Sequence, residues 1–363
     1  LKEMAVTLGQ AKALLDIESK AGQATHIVGS IAPFEISEFL PLLANAAKTP
    51  LKVSGKADAR VDLTLPHQSV EPSGSVSLNL ENWILDGLTL MELGGFSVPE
   101  DEKKKTPNVA PDLDVTGQLQ LRGKINANLE RGTFRDGTMR LTFDASHLGV
   151  RYQELFQKKA GQPLIIDVAG DGSGKSVLIR GLKIQGPAGL KLLAKGNILD
   201  LKDYVTKLQI VDGKLPLATV ASFLPKAGDT SGIVLLNGEL QGSLKGLKDW
   251  NGIFAKLNAD LKNVTLQHES FVVKRVNGKI ETIMSSSGDA TKGEGEQTLL
   301  VRLLGVSGQW WPAPLIGEDA VPLQIEAQGS INYKNRVLTG NVSSTLSELN
   351  VTPFLNCDFL KVY

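Results

Sequence analysis

The sequence predicts an all-β protein, built of long and mainly antiparallel strands with a few short amphipathic helices. Three observations carry that prediction: strict alternation of apolar and polar residues over long segments, turn signals at short intervals, and scarce helical periodicity. From Leu51 to Leu65 the odd positions are apolar or small (Leu51, Val53, Gly55, Ala57, Ala59, Val61, Leu63, Leu65) and the even ones polar. Side chains on a strand alternate between faces, so this segment has one greasy side and one wet side. At about 3.3 Å per residue it would span about 50 Å, against a usual strand of about five or six residues.

The rhythm recurs along the chain. Leu119, Leu121, Gly123, Ile125, Ala127 and Leu129 alternate with polar residues, as do Val321, Leu323, Ile325, Ala327, Gly329, Ile331 and Tyr333. Shorter runs cover 76–80, 139–145, 190–198, 253–261, 271–280 and 338–346. Pro72-Ser73-Gly74, Asp136-Gly137, Asp212-Gly213 and Asn277-Gly278 read as turns, which favours an antiparallel meander. The phase slips between Leu261 and Val264, which predicts a β-bulge near Lys262-Asn263.

Helices are expected near 37–48, capped by Ser37; near 151–160, from the spacing of Tyr152, Leu155 and Phe156; and near 217–224, closed by Pro225. A ten-residue helix is about 15 Å long. Three such helices cannot cover the apolar side of strands this long. The sheet must fold on itself, pair with another sheet, or offer its apolar face to a greasy ligand.

Gly29–Pro41 resembles Gly213–Pro225, and a weaker copy runs from Leu346 to Leu355. Two repeat-related modules, 1–200 and 201–363, are the expected parse. Segments 99–111, with Glu100-Asp101-Glu102-Lys103-Lys104-Lys105, and 285–296, rich in Ser and Gly, read as solvated loops.

Composition narrows the function. Lys+Arg and Asp+Glu are 39 each, which argues against a nucleic-acid partner needing a basic surplus. A hydrophobic content of 42 % supports a folded core. The single cysteine, Cys357, rules out an internal disulfide. Four scattered histidines, His26, His67, His147 and His268, lack metal-ligand spacing. No apolar run reaches the ~18 residues of a spanning helix. The chain begins at Leu1, already in strand rhythm, so it reads as a fragment lacking a targeting or anchoring segment.

Ala169-Gly170-Asp171-Gly172-Ser173-Gly174-Lys175-Ser176 fits a permissive phosphate-loop pattern. The β-branched Val177–Ile184 that follows does not open a helix, so Gly170–Gly174 is expected as a hairpin turn and no nucleotide or other cofactor is implied. Carboxylates sit at wet strand positions, and there is no nucleophile elbow. The sequence points away from an enzyme. Trp310-Trp311 stands out in a chain with 5 % aromatics and suggests a partner or membrane contact, or a packed cap on the sheet edge.

The stretches Asn237–Gly252, Ala255–Leu266 and Val273–Ile280, with the repeated strand-plus-Phe-Leu-Pro element, resemble AsmA-like and TamB-like envelope proteins of Gram-negative bacteria. The resemblance implies a curved, taco- or gutter-shaped sheet with an apolar lining. It also implies a periplasmic location, anchored to the inner membrane by a segment absent from this chain, and a part in moving phospholipid or in outer-membrane biogenesis.

Pattern and resemblance together suggest a groove that binds phospholipid or another acyl lipid. The expected lining is Leu51, Val53, Val61, Leu63, Leu119, Leu121, Ile125, Leu129, Leu323 and Ile325, with Trp310 and Trp311 as partner or membrane contacts. Each buried methylene contributes about 0.8 kcal/mol, so an acyl chain needs an extended apolar trough. One alternative is a non-enzymatic structural or assembly factor with a closed β core and an envelope protein partner. A transmembrane β-barrel also needs alternating strands, but the scattered 4 Trp, 4 Tyr and 11 Phe supply no aromatic girdles.

Overall fold

The computed structural model describes residues 4–8, 11–35, 52–67, 70–86, 113–152, 156–200, 205–224, 229–243, 253–268, 271–289, 294–312, 321–334 and 337–346. It is an all-β, antiparallel fold in two compact units, Leu1–Gly186 and Pro187–Tyr363. The division precedes the expected boundary at 200, which falls at the end of a strand, Lys191–Asp200.

Unit 1 contains β1 (Met4–Leu8), β2 (Ala11–Glu18), β3 (Thr25–Glu35), β4 (Lys52–Leu65), β5 (Ser73–Asp86), β6 (Leu113–Glu130), β7 (Thr133–Asp144), β8 (Leu148–Tyr152), β9 (Phe156–Lys158), β10 (Ile165–Ser173) and β11 (Val177–Gln185). Neighbours pair antiparallel from β1 to β7, β10 joins β7, and β11 follows β10. The 18 residues of β6 serve three ladders: Gln118–Leu129 pairs with β5, Gln120–Glu130 with β7 and Leu113–Gly117 with β8.

Unit 2 is a plain meander. It runs through β12 (Lys191–Asp200), β13 (Val205–Pro216), α1 (Leu217–Ser222), β14 (Thr230–Ser243), β15 (Phe254–His268), β16 (Phe271–Asp289), β17 (Glu294–Pro312), β18 (Val321–Lys334) and β19 (Val337–Leu346). β16 and β17 have 19 residues each, as the long alternation requires.

Several local expectations are corrected. The helix expected near 151–160 is a strand pair, with Val150 opposite Lys158 and Tyr152 opposite Phe156. The Lys158 side chain is buried, and its ammonium donates to the carbonyls of Leu148 (2.7 Å), Lys159 (3.3 Å) and Ser146 (3.4 Å). That anchorage overrides the weak helical spacing. Helix α1 matches the expected third helix but is shorter. The helix near 37–48, the loop at 99–111 and Cys357 lie outside the described residues.

Asp136-Gly137, Asp212-Gly213 and Asn277-Gly278 are not turns but lie inside β7, β13 and β16. The β6–β7 reversal uses Arg131-Gly132 instead, both at positive φ (50° and 72°). Asp212-Gly213 and Asn277-Gly278 sit where the ladder register slips, and Gly278 alone of these four has a positive φ, 145°. Much of 285–296 extends the β16–β17 ladder, with Gly288 opposite Gly295. Gly170 and Gly172 belong to β10, and the reversal is at Ser173–Ser176, closed by the Ser173 amide donating to the Ser176 carbonyl at 2.7 Å. Strand β11 follows, so there is no helix N-terminus for a phosphate.

The predicted bulge near Lys262-Asn263 is present, with Asn263 at φ 49°. It belongs to a set: register also slips at Ser231/Ile233, Lys274/Asn277 and Leu303/Val306 on neighbouring ladders. Bulges bend a strand and increase its twist, so slips on successive ladders crease the sheet. Val264, Val276 and Val306 bury themselves beside this crease, packed by Leu217 of α1, Leu261, Val273, Leu303 and Ile325. Unit 1 has its own slips at Ile31/Phe34, Ser54/Lys56 and Leu80/Trp83, beside buried Ala57 and Leu80. The Trp83 indole N–H donates across it to the Lys56 carbonyl at 2.8 Å.

Candidate functional site

In unit 1 the register lines apolar residues into rows that cross the sheet. One row is Ile17, Ile27, Leu63, Gly74, Leu129 and Phe134. The next is Leu15, Gly29, Val61, Val76, Ala127 and Gly137, followed by Ala13, Ile31, Ala59, Leu78, Ile125 and Met139. Beyond the crease, Trp83, Leu121, Phe143 and Ile166 form another row, and Leu85 pairs with both Val53 and Leu119. Six strands at about 4.8 Å spacing make these rows about 24 Å wide.

Val61, Leu63, Leu119, Leu121, Ile125 and Leu129 therefore share one face, and each is half-buried. Val53 pairs with Leu85 in the β4–β5 ladder. Larger side chains fold over the glycines of the rows: a Cβ on Gly29 would clash with the Leu15 side chain, and one on Gly172 would meet the Phe134 ring at 3.2 Å. The apolar face thus covers itself in part. Along β4 it is consistently less exposed than the polar face, where Ser54, Lys56, Arg60, Asp62 and Thr64 are open to solvent.

The remaining expected residues lie elsewhere. Ile325 packs on the valine node of unit 2. Leu323 pairs with Gly308 in β17, Trp310 pairs with Val273 and Val321, and Trp311 pairs with Val272. Leu51 lies outside the described residues.

Several clefts of unit 1 open on the other face. A trough of about 1020 Å³ is bordered by Asp16, Ser30, Arg60, Asp62, Ser77 and Lys124, and Val61 alone of the expected lining reaches it. Smaller clefts of about 320 and 460 Å³ adjoin it through Lys124 and share Arg140 with each other, and one of about 100 Å³ includes Leu121. The trough is mixed in character: exposed Leu14 and Val28, with Ala5 and Val61, line it beside the charged and hydroxyl side chains, while the apolar rows form a surface on the opposite face.

The polar face is organised by cross-strand contacts. Asp62 pairs with His26 Nε2 at 2.8 Å, Asn79 donates to Asp58 at 2.8 Å, and Asn126 donates to Thr138 at 3.0 Å. Arg180 pairs with Asp171. The Asn128 amide and the Arg135 guanidinium both donate to Asp136 and hold its carboxyl below the usual range. Burial works against ionisation of Asp144. Hydrogen bonds from Ser146 and the charges of His147 and Arg122 outweigh it, and its pKa is lowered. Burial also lowers the pKa of Lys158, against the pull of Asp144.

Among the described residues no three His, Cys, Asp or Glu side chains gather as a metal site, and no helix is long and apolar enough to cross a membrane. Sequence reading missed one grouping, the cations Arg122, Lys124 and Arg140. Arg122 and Lys124 are visible as wet positions of the 119–129 alternation, but only the β6–β7 register brings Arg140 beside them. No family model, curated protein or solved structure matches the chain.

Proposed function

We propose that the apolar face of unit 1 binds acyl lipid, and that the protein is a non-enzymatic lipid-binding or lipid-transfer module of AsmA-like type acting in the periplasm. One observation carries the reading. Rows of half-buried aliphatic residues cross β2 to β7 in register, while fully buried hydrophobics among the described residues are few: Ala57, Leu80, Ala145, Ala194, Ile253, Ala255, Val264, Val276 and Val306. A self-sufficient domain places its aliphatic side chains in a close-packed interior. Here most of the aliphatic side chains remain partly open to a partner. At about 25 cal/mol per Å², an acyl chain laid across these rows gains stabilisation from area that water otherwise covers.

A second reading, a structural or assembly factor, draws support from the position of the clefts. They set charged and hydroxyl side chains beside exposed Leu14 and Val28, a mixture that suits a protein surface more than a hydrocarbon tail. A photoactivatable fatty acid separates the two. Acyl binding predicts cross-links at Leu63, Ile125 and Leu129; an assembly factor predicts none there and no lipid in extracts of the purified chain.

A further inference from the structure

Lys124 of β6 stands directly opposite Arg140 of β7. Directly opposed residues have their Cβ atoms about 4.5–5.5 Å apart, and like charges in that position disfavour the ladder. Arg122 is on the same face two residues earlier, about 7 Å along the strand. All three line the cleft of about 460 Å³. Among the described residues none of them stands within salt-bridge distance of a carboxylate, although the charge of Arg122 acts on nearby Asp144. Glu81 is the one carboxylate in the lining itself, so the lining holds three cations against one anion, with Asp58, Asp144 and Asp167 standing just outside it. Two neutral groups there are already engaged: the Asn79 amide donates to Asp58 and the Thr142 hydroxyl to Asp167, at 2.8 and 2.7 Å.

We propose that Arg122, Lys124 and Arg140 form a binding site for a phosphate group on the polar face of unit 1. Two guanidinium forks and an ammonium suit a tetrahedral anion that can accept from several directions at once. A bound phosphate reverses the repulsion between Lys124 and Arg140 and converts it into attraction through a shared partner. Arg122, Lys124 and Arg140 are all exposed, so the phosphate can be carried by a larger molecule. The site faces away from the apolar rows and stands independently of acyl binding.

The test is calorimetric titration of the full chain with inorganic phosphate at constant ionic strength. Saturable binding is expected, weakened at least about tenfold in the double variant Lys124→Gln/Arg140→Gln. Arg60→Gln, which alters only the larger trough, should retain the parent affinity. Removing the like-charge pair should leave the melting temperature of the double variant equal to or above that of the parent, so unfolding cannot mimic the loss. No saturable binding, unchanged affinity in the double variant, or a lowered melting temperature would overturn the site. Co-sedimentation with phosphatidic acid vesicles identifies the source. Sedimentation lost in the double variant points to a lipid headgroup, and phosphate binding without sedimentation points to a soluble phosphate ester; both support the site.

Discussion

Gly232 packs so closely on Asn263 that a Cβ added to the glycine would stand 2.6 Å from the Asn263 carbonyl oxygen. Gly55 repeats this against Asn82, also at 2.6 Å. Both glycines have positive φ, 100° and 120°, and both asparagines have φ 49°. The sequences around the asparagines share Leu, Asn and Leu at the same spacing, in Leu80-Glu81-Asn82-Trp83-Ile84-Leu85 and Leu261-Lys262-Asn263-Val264-Thr265-Leu266. Each unit therefore carries the same glycine–asparagine bulge at the same strand junction, β4 with β5 and β14 with β15.

Gly55→Ala and Gly232→Ala should each lower stability by about 1–3 kcal/mol from backbone strain, with the backbone clash adding to it. Urea denaturation measures the loss. Near-neutral effects at both positions would show that the bulges relax freely.

Val276→Ala should cost about 1.5–3 kcal/mol, because it opens a void in the packed node formed with Val264 and Val306. Leu63→Ala removes a larger side chain, yet it should cost less, since Leu63 is only half-buried. Thermal unfolding of the two variants checks the order. The opposite order would make the face around Leu63 an ordinary core.

Lys158→Met should loosen the β8–β9 pair by about 1–3 kcal/mol, since the carbonyls of Leu148 and Lys159 lose a donor. The pH dependence has a definite sign. Burial lowers the pKa of Lys158, so the unfolded chain binds this proton more tightly than the folded one. Its contribution to stability therefore rises with pH from the lowered value toward the ordinary lysine value of 10.5, and Lys158→Met should abolish that increment. Hydrogen exchange of 148–158 as a function of pH reports it.

Asp144 behaves in the opposite pH range. Its pKa is lowered in the fold, so its stabilising contribution is complete above the ordinary carboxylate value and disappears as pH falls through the lowered one. Asp144→Asn should reduce the acid sensitivity of unit 1, and an acid unfolding curve unchanged by the substitution would rule out that role.

The alternation made the long strands legible, because a period of two sustained over fourteen or more residues matches the strand repeat and not the helical one, as in β4 and β18. It also revealed the bulge at Asn263, through its phase slip. Asn82 gave no signal because Ile84 continues the even phase of Val76, Leu78 and Leu80 and masks the slip to Trp83 and Leu85. Asp136-Gly137 and Asp212-Gly213 misled because their glycines serve close strand approach and not a turn: a Cβ on Gly137 would clash with the Asn126 carbonyl oxygen, and one on Gly213 would stand 2.9 Å from the Leu236 Cβ. The β8–β9 pair was hidden by three apolar residues whose spacing imitates a helix, and Lys158 gives no sign in sequence that its ammonium is buried. The grouping of Arg122 and Lys124 with Arg140 depends on register, which a sequence read one strand at a time does not contain.

Cross-linking gives the sharpest test of acyl binding by the apolar rows. The full chain is incubated with a photoactivatable fatty acid, irradiated, digested and mapped by mass spectrometry, alongside analysis of lipid extracted from the freshly purified protein. Acyl adducts are expected on β4 and β6, centred on Leu63, Ile125 and Leu129, together with co-purified phospholipid. Lipid-free extracts and adducts scattered without preference for that face would refute acyl binding there.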